Sequence, residues 1–272
     1  MIIDNACLRE ALTNNHPDLV QSGLDHFSSD VEVSASKEHT ELFEIKLFSS
    51  GSDLSRISSV DFEGYYTGYD ENGNALTTDW HGFTKGRLSQ SHLGSATNPP
   101  FAIHWDTTML PAQKDVAVRA VIHFKTTTNI VYLTAASSTF EIPERKNAKV
   151  GLYGSRDLPH GFWSRANQKK TCTINLDVGP EQIERAELHV NTWTGGPGKV
   201  REYFRLNSQF FPVAEGSRHE LIYSKLEVKP HILNLGLNHI ELLSDTEHHG
   251  IEIPLPGPCL MVRFKNGGIV SR

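Results

Sequence analysis

The type of side chain alternates from one residue to the next in the stretch Leu188-His189-Val190-Asn191-Thr192-Trp193, and this pattern indicates the fold. Successive side chains of a β-strand point to opposite faces, so a period of two predicts a strand rather than a helix. The even-numbered residues then face a core, whereas His189, Asn191 and Trp193 share the opposite face. That second face carries groups able to contact a ligand. The Gly-rich segment 194–198 that follows lacks the spacing of a phosphate-binding loop, and we predict a mobile lid there.

The same alternation recurs along most of the chain, between short groups of Gly, Asn, Asp or Ser. In Leu42-Phe43-Glu44-Ile45-Lys46-Leu47, for example, apolar residues alternate with charged ones. Many short strands at near-regular spacing predict an all-β protein of two tandem β-sandwiches. Helical periodicity is confined to residues 4–24, which predict one short N-terminal helix. The polar, Pro-led segment 143–147 reads as a linker, and residues 71–74 as a hairpin turn.

Composition bounds the possible functions. The 272 residues carry a net charge of -6 with no basic run, which argues against nucleic-acid and membrane partners. Three cysteines without a CxxC pair argue against a disulfide framework. No secretory signal and no apolar stretch of roughly 20 residues is found. We therefore expect a cytoplasmic protein that takes a small-molecule substrate, and its oligomeric state is not predicted.

Two parts of the sequence resemble known families. The stretch Pro100-Phe-Ala-Ile-His-Trp-Asp-Thr107, followed by Val116-Ala-Val-Arg-Ala-Val-Ile122, resembles the late strands of immunoglobulin-like domains in bacterial and fungal multidomain proteins. Residues 204–209 and the stretch Leu226-Glu-Val-Lys-Pro-His-Ile-Leu-Asn-Leu-Gly-Leu-Asn-His-Ile240 resemble jelly-roll sandwiches of the galactose-binding type. They are similar, more loosely, to the paired jelly rolls of peptide-N-glycosidase F and of the copper monooxygenases.

The resemblances imply three segments: an N-terminal helical segment at 1–28, an immunoglobulin-like sandwich at 29–143 and a jelly roll at 148–272. This sequence departs from the jelly-roll pattern at Ser208, where the families have Gly. The metal-binding His-x-His signature of the monooxygenases is not found in it. The resemblance therefore implies a fold and brings no metal or activity with it.

The stretch Asp245-Thr246-Glu247-His248-His249 crowds two carboxylates and two imidazoles near the end of the chain. We predict that Asp245, Glu247, His248 and His249, together with His189, are catalytic and act by donating hydrogen bonds or protons. On a strand, only one of the two adjacent histidines faces a given pocket. Zinc and copper sites need three or four converging ligands, so no metal is predicted. The alternative is a solvated polar turn.

Aromatic and polar residues elsewhere suit the wall of a binding pocket. His160 and Trp163 follow a turn-rich segment and serve equally well as a pocket wall or as an aromatic plug. The predicted substrate-binding residues are Trp193, Asn191, His160, Trp163, Trp80, His81 and Tyr203.

Three functions remain open at this point. The first is a cofactor-independent cyclase, isomerase or pericyclase that converts a small, largely apolar metabolite in a pocket between the two domains. It would act by preorganisation and hydrogen bonding, which leave no sequence motif. The second is a jelly-roll protein that binds or processes carbohydrate. The third is a metal-dependent oxygenase or hydrolase that uses the many histidines.

Overall fold

The computed structural model describes residues 31–50, 54–69, 78–85, 88–125, 131–196, 198–200, 202–211, 219–247 and 250–265. Nearly all regular structure in these ranges is β-strand, and the strands pair antiparallel, so the predicted all-β class is confirmed. Three short 3₁₀ helices span Leu54–Arg56, Pro180–Gln182 and Pro230–Ile232. The predicted N-terminal helix and the predicted turn at 71–74 lie outside the described residues. Within those ranges, no helix has the length and hydropathy to cross a bilayer.

Contacts divide the chain into two compact units. Unit 1 comprises Met1–Tyr66, Trp80–Thr108 and Gln113–Ile142. Unit 2 comprises Thr67–Asp79, Met109–Ala112 and Pro143–Arg272. The three-segment domain division expected from the sequence stays a prediction.

Unit 1 holds two main antiparallel sheets and one small one. Its strands are β1 (Val31–His39), β2 (Leu42–Ser49), β3 (Ile57–Thr67), β4 (Thr78–His81), β5 (Phe83–Lys85), β6 (Leu88–Gln90), β7 (Gly94–Ala96), β8 (Ala102–Asp106), β9 (Gln113–Phe124), β10 (Val131–Leu133) and β11 (Phe140–Ile142). One sheet has the order β1-β2-β8, and the second has the order β10-β9-β3-β4, with β11 on β9 and β7 on β3. Strands β5 and β6 form a separate pair.

Alternation along β2 produces the core of unit 1. Phe43, Ile45 and Leu47 are buried, as their period of two predicts. The Phe43 ring lies 6.2 Å from Trp105 of β8 and 5.1 Å from Phe140 of β11. The side chains therefore join the two main sheets of this unit through one aromatic core.

Unit 2 is built from two further antiparallel sheets. Its strands are β12 (Ala148–Gly154), β13 (Trp163–Ser164), β14 (Lys170–Leu176), β15 (Ile183–Thr194), β16 (Phe204–Leu206), β17 (Gln209–Phe211), β18 (Glu220–Val228), β19 (Gly236–Leu242), β20 (Ile251–Glu252) and β21 (Cys259–Lys265). The larger sheet has the order β12-β21-β15-β20-β13, with β18 also paired to β15. The smaller sheet has the order β14-β19-β16-β17.

One hydrophobic cluster holds these two sheets face to face. It combines Leu188 and Val190 of the larger sheet with Ile174, Phe204 and Ile240 of the smaller one. All five are fully buried. Unit 2 is therefore a β-sandwich whose core takes the even-numbered residues of β15 from Ala186 onward, which leaves the odd-numbered ones of that part on the outer face of the larger sheet.

A buried amide connects the turns at one end of the smaller sheet. The Asn238 side chain is fully buried, and its Oδ1 accepts hydrogen bonds from Asn207 Nδ2 and from the backbone N–H of Asn234, both at 2.8 Å. Its Nδ2 donates to the carbonyl oxygens of Asn234 and Gly236, at 2.9 and 3.0 Å. Asn238 thus satisfies four polar groups that burial would otherwise leave unpaired.

We expect Asn238→Ala to lower the free energy of unfolding by about 2–4 kcal/mol, because the buried groups lose their partner. Urea denaturation followed by circular dichroism measures this change. Asn175→Ala is the matched control, since Asn175 lies exposed on the neighbouring strand β14. An Asn238→Ala variant no less stable than the Asn175→Ala control would show that the amide does not support the fold.

Candidate binding cleft

Three short pieces of strand place two tryptophans and a carboxylate in one row. In the larger sheet of unit 2, Trp163 of β13 lies directly opposite Glu252 of β20, which in turn lies opposite Trp193 of β15. Directly opposite residues of neighbouring strands share a face. The residues one position away in register are fully buried on the inner face: Ser164, Ile251 and Thr194. Trp163, Glu252 and Trp193 therefore project together from the outer face.

A cleft of about 450 Å³ lies along this row. Residues 158–163 form one wall, residues 252–255 form another, and Trp193 completes the lining. All of these residues belong to unit 2. With strands about 4.8 Å apart, the two tryptophan Cα atoms are roughly 10 Å from each other.

Backbone geometry fixes the position of Trp163 in the cleft. Gly161 has φ of 65°, and a Cβ there would lie 2.8 Å from the indole Nε1 of Trp163. The absence of a side chain at Gly161 lets the indole pack against the backbone. The neighbouring Phe162 is buried in the core, and its carbonyl accepts a hydrogen bond from Ile253 N–H at 2.7 Å. The two walls of the cleft are joined at this point.

Charged and aromatic groups surround the row. The Arg165 guanidinium and the Lys170 ammonium each lie 4.8 Å from the centroid of the Trp163 ring. At the other end, His219 packs edge-on against Trp193 with ring centroids 5.4 Å apart. The Glu252 carboxylate between the two indoles makes no hydrogen bond or ion pair in the described part of the chain. It is half-buried and available to a ligand.

His189 and Asn191 lie further along β15 on the same face, outside the lining of the cleft. The Tyr69 ring stacks on Tyr223 at 5.4 Å and lies 5.9 Å from the His189 ring. The Tyr69 hydroxyl accepts a hydrogen bond from Asn191 N–H at 3.0 Å and donates to the Gly257 carbonyl at 3.1 Å. His189 and Asn191 are both buried. The odd-numbered face of β15 is therefore covered at its centre and open at Trp193.

The His189 imidazole is held between a phenol and a carboxylate. Its Nδ1 lies 2.6 Å from the Tyr223 hydroxyl and its Nε2 lies 3.1 Å from Glu187 Oε2. Burial lowers the pKa of His189, and this outweighs the neighbouring Glu187 carboxylate, which raises it. Burial also raises the pKa of Glu187, but the hydrogen bond with His189 and the nearby charges bring it below its usual value. The His189–Glu187 pair therefore stabilises this face of the sheet and presents no exposed group to a substrate.

The acidic and imidazole cluster at 245–249 is described in part. Asp245 and Glu247 are exposed, and Asp245 Oδ1 accepts a hydrogen bond from Lys199 N–H at 2.8 Å. His248 and His249 lie outside the described residues, so their predicted catalytic role stays a prediction. The segment predicted as a lid is bonded to this cluster through Thr246 Oγ1, which donates to the Gly196 carbonyl at 3.4 Å. Its Gly195 N–H also donates to the carbonyl of Gly250, just after the cluster, at 2.9 Å.

The remaining predicted binding residues lie elsewhere. Tyr203 belongs to the hydrophobic core of unit 2 and is 2% exposed. His81, in unit 1, is fully buried, stacks on Tyr66 at 3.8 Å, and places its Nε2 2.9 Å from the Tyr66 carbonyl. Trp80, also in unit 1, packs under the Arg119 guanidinium at 4.0 Å. None of the three lines the cleft.

The structure thus brings together three residues that the sequence singled out, namely His160, Trp163 and Trp193. It adds Glu252, which the sequence reasoning missed. The signal for Glu252 was the alternation of Ile251, Glu252 and Ile253 directly after Gly250, which is short enough to pass as a loop. In the described ranges, no group of three His, Cys, Asp or Glu side chains converges in a way that could hold a metal ion.

No protein-family model matches the chain, and no curated protein is similar to it. Among solved structures, the chain is similar to a beta-porphyranase of glycoside hydrolase family 86 from the human gut bacterium Bacteroides plebeius, with 13% identity and a TM-score of 0.35 over 86% of this chain and 36% of that one. It is also similar to BuGH86 in complex with neoagarooctaose, with 11% identity and a TM-score of 0.35 over 86% of this chain and 33% of that one. The infectious bursal disease virus Gx strain structure gives 8% identity and a TM-score of 0.23, over 88% of this chain and 57% of that one.

The chain thus spans about a third of the length of the two glycoside hydrolase chains. TM-scores of this size do not establish a shared fold. The function is therefore inferred from the cleft alone.

We expect the stability of the protein to fall as the pH is lowered, in two windows set by His189 and Glu187. The folded state resists protonation of His189, so stability that is present above its usual pKa of 6.5 is lost as the unfolded chain takes up a proton below that value. The Glu187 contribution is present above its usual pKa of 4.5 and is lost as the pH falls through the lowered folded value.

Urea denaturation at a series of pH values, from about 8 to about 5, isolates the histidine window. In His189→Gln the loss of stability across this range is expected to be shallower than in the wild type. Equal slopes for the two proteins would contradict the assignment of a buried neutral imidazole.

Proposed function

We propose that the protein binds a carbohydrate in the cleft of unit 2, with Trp163 and Trp193 as stacking surfaces and Glu252 as a hydrogen-bond acceptor for sugar hydroxyls. The observation that carries the proposal is the direct cross-strand row of these three residues. An outward-facing row of this kind buries no core area, so its residues are available for recognition.

The chemistry of the row fits a sugar. A pyranose ring has an apolar face of C–H groups, which packs against the electron-rich face of an indole. Its edge carries hydroxyl donors, and a carboxylate accepts several of them in charge-assisted hydrogen bonds. Because the two indoles lie two strands apart, at roughly 10 Å, each one can stack on a different ring of an oligosaccharide.

The cleft supports binding better than cleavage. Glycoside hydrolysis generally uses a pair of carboxyl groups flanking the scissile bond, about 5–10 Å apart. Glu252 is the only carboxylate among the described residues that line the cleft. Carbohydrate recognition without turnover is therefore the function that we infer.

The enzyme hypothesis has one observation in its favour. Leu158, Pro159, Pro254 and Leu255 give the rim of the cleft an apolar character that also suits a small apolar metabolite. The cyclase hypothesis, however, places the reaction in a pocket between two domains, whereas the cleft lies within unit 2. Of its predicted catalytic residues, Asp245, Glu247 and His189 are not among the described residues that line the cleft.

We expect Trp163→Ala and Trp193→Ala each to weaken oligosaccharide binding by about tenfold or more, because each removes one stacking surface. A glycan array identifies a ligand, and isothermal titration calorimetry measures its affinity for each variant. Glu252→Gln keeps the shape of the row and removes its charge, so it is expected to weaken binding as well.

Phe210→Ala is the matched control for these variants. Phe210 is an exposed aromatic residue of the smaller sheet and does not line the cleft, so its loss is expected to leave the affinity unchanged. An array without any bound glycan, or binding that survives both tryptophan substitutions, would refute the proposal.

A further inference from the structure

We infer that the carbohydrate is acidic, and that its carboxylate or sulfate group lies against Arg165 and Lys170 at the Trp163 end of the cleft. This inference rests on the proposed function and names the class of glycan that the cleft selects. It is carried by two cations of unit 2 that have no anionic partner among the residues that the structure describes.

The two cations lie over one indole. Arg165 and Lys170 each place their charge 4.8 Å from the Trp163 centroid, so the two charges lie within about a Debye length of each other, roughly 10 Å. Neither residue forms an ion pair in the described part of the chain, and the Arg165 Nε is buried without a hydrogen bond. Like charges so placed repel each other, and an anion between them relieves that repulsion.

Two neighbouring cations of the same unit do have an anionic partner. Lys169 and Arg205 both pair with Glu241, with the Lys169 ammonium 2.7 Å from Glu241 Oε1. Glu241 therefore gives both of these cations an ion-pair partner, which Arg165 and Lys170 lack among the described residues. In the described part of the chain, Arg165 and Lys170 are therefore two cations without an ion pair beside Trp163, a residue that lines the cleft.

The order of groups along the row sets the orientation of the ligand. Trp163, Glu252 and Trp193 follow one another along the row, and Arg165 and Lys170 lie beside Trp163. An anionic substituent beside Glu252 would be repelled, so it belongs on the sugar ring that stacks on Trp163. The ring over Trp193 then presents hydroxyl groups, and Glu252 accepts hydrogen bonds from hydroxyls between the two rings.

Carboxylates and sulfate esters share the chemistry that this end of the cleft recognises. The Arg165 guanidinium offers a planar fork of donors to two oxygens of one anionic group, and the Lys170 ammonium adds a point charge. A uronic acid supplies a carboxylate, whereas a sulfated sugar supplies a sulfate ester. Two arms of the experiment distinguish these sources.

The experiment compares matched acidic and neutral oligosaccharides by isothermal titration calorimetry on the full chain. In the first arm, oligogalacturonides are compared with their methyl esters. In the second arm, sulfated galactan oligosaccharides are compared with the same material after desulfation. We expect the acidic member of at least one pair to bind about tenfold more tightly than the neutral one, with the preference reduced by added salt.

The double substitution Arg165→Gln with Lys170→Gln is expected to abolish this preference, measured as the ratio of the affinities for the acidic and the neutral member of a pair. Lys169→Gln removes one charge next to Lys170, but that charge is already paired with Glu241, so the preference is expected to persist. The control therefore separates a local contact from a change in total charge.

Three results would overturn the inference. Equal affinity for the acidic and neutral members of both pairs, with binding still lost in Trp163→Ala, would refute an acidic ligand and leave the carbohydrate site standing. An absence of binding to any glycan, acidic or neutral, would refute both. A preference that survives the double substitution would assign the acidic group to another place.

Discussion

The structure of the cleft depends on the register between the two short strands β13 and β20 and the end of the long strand β15. Ser164, Ile251 and Thr194 are fully buried on the inner face of the larger sheet. This burial fixes which residues of β13, β20 and β15 turn outward, because a slip of one residue would exchange the two faces of a strand. Trp163, Glu252 and Trp193 are aligned as a consequence of core packing. Residues that never touch a ligand therefore hold the recognition surface in place.

A second constraint acts on the same face of β15. Its polar residues are divided between a covered region, where Tyr69 and Tyr223 enclose His189 and Asn191, and an open end at Trp193. In the covered region, hydrogen bonds satisfy both His189 ring nitrogens and the Asn191 N–H, which would be costly to bury alone, whereas the buried Asn191 Oδ1 has no partner among the described residues. The two regions therefore differ in whether Tyr69 and Tyr223 cover them, and not in the type of residue that they contain. The alternation of side chains along the sequence does not show which of the two regions is covered.

The sequence predicted the all-β class because strand alternation is a local property. It also placed His189, Asn191 and Trp193 on one face of β15, since the period of two requires it. It missed Glu252 because a strand of two residues has no period to detect, and its neighbours depend on strand order. The pairing of β20 between β13 and β15 is a long-range contact that no local pattern encodes. The cluster at 245–249 was predicted to be catalytic from its composition. Asp245 and Glu247 are exposed in the structure.

The two units are interleaved along the chain rather than arranged as consecutive segments. Residues 67–79 and 109–112 precede the linker in sequence, yet they belong to unit 2. Tyr69 supplies the hydroxyl for Asn191 N–H and for the Gly257 carbonyl, and the Leu110 carbonyl accepts a hydrogen bond from Arg145 at 2.9 Å. A fragment that begins at residue 143 would lack these partners. Unit 2 is therefore not encoded by one continuous stretch of the sequence.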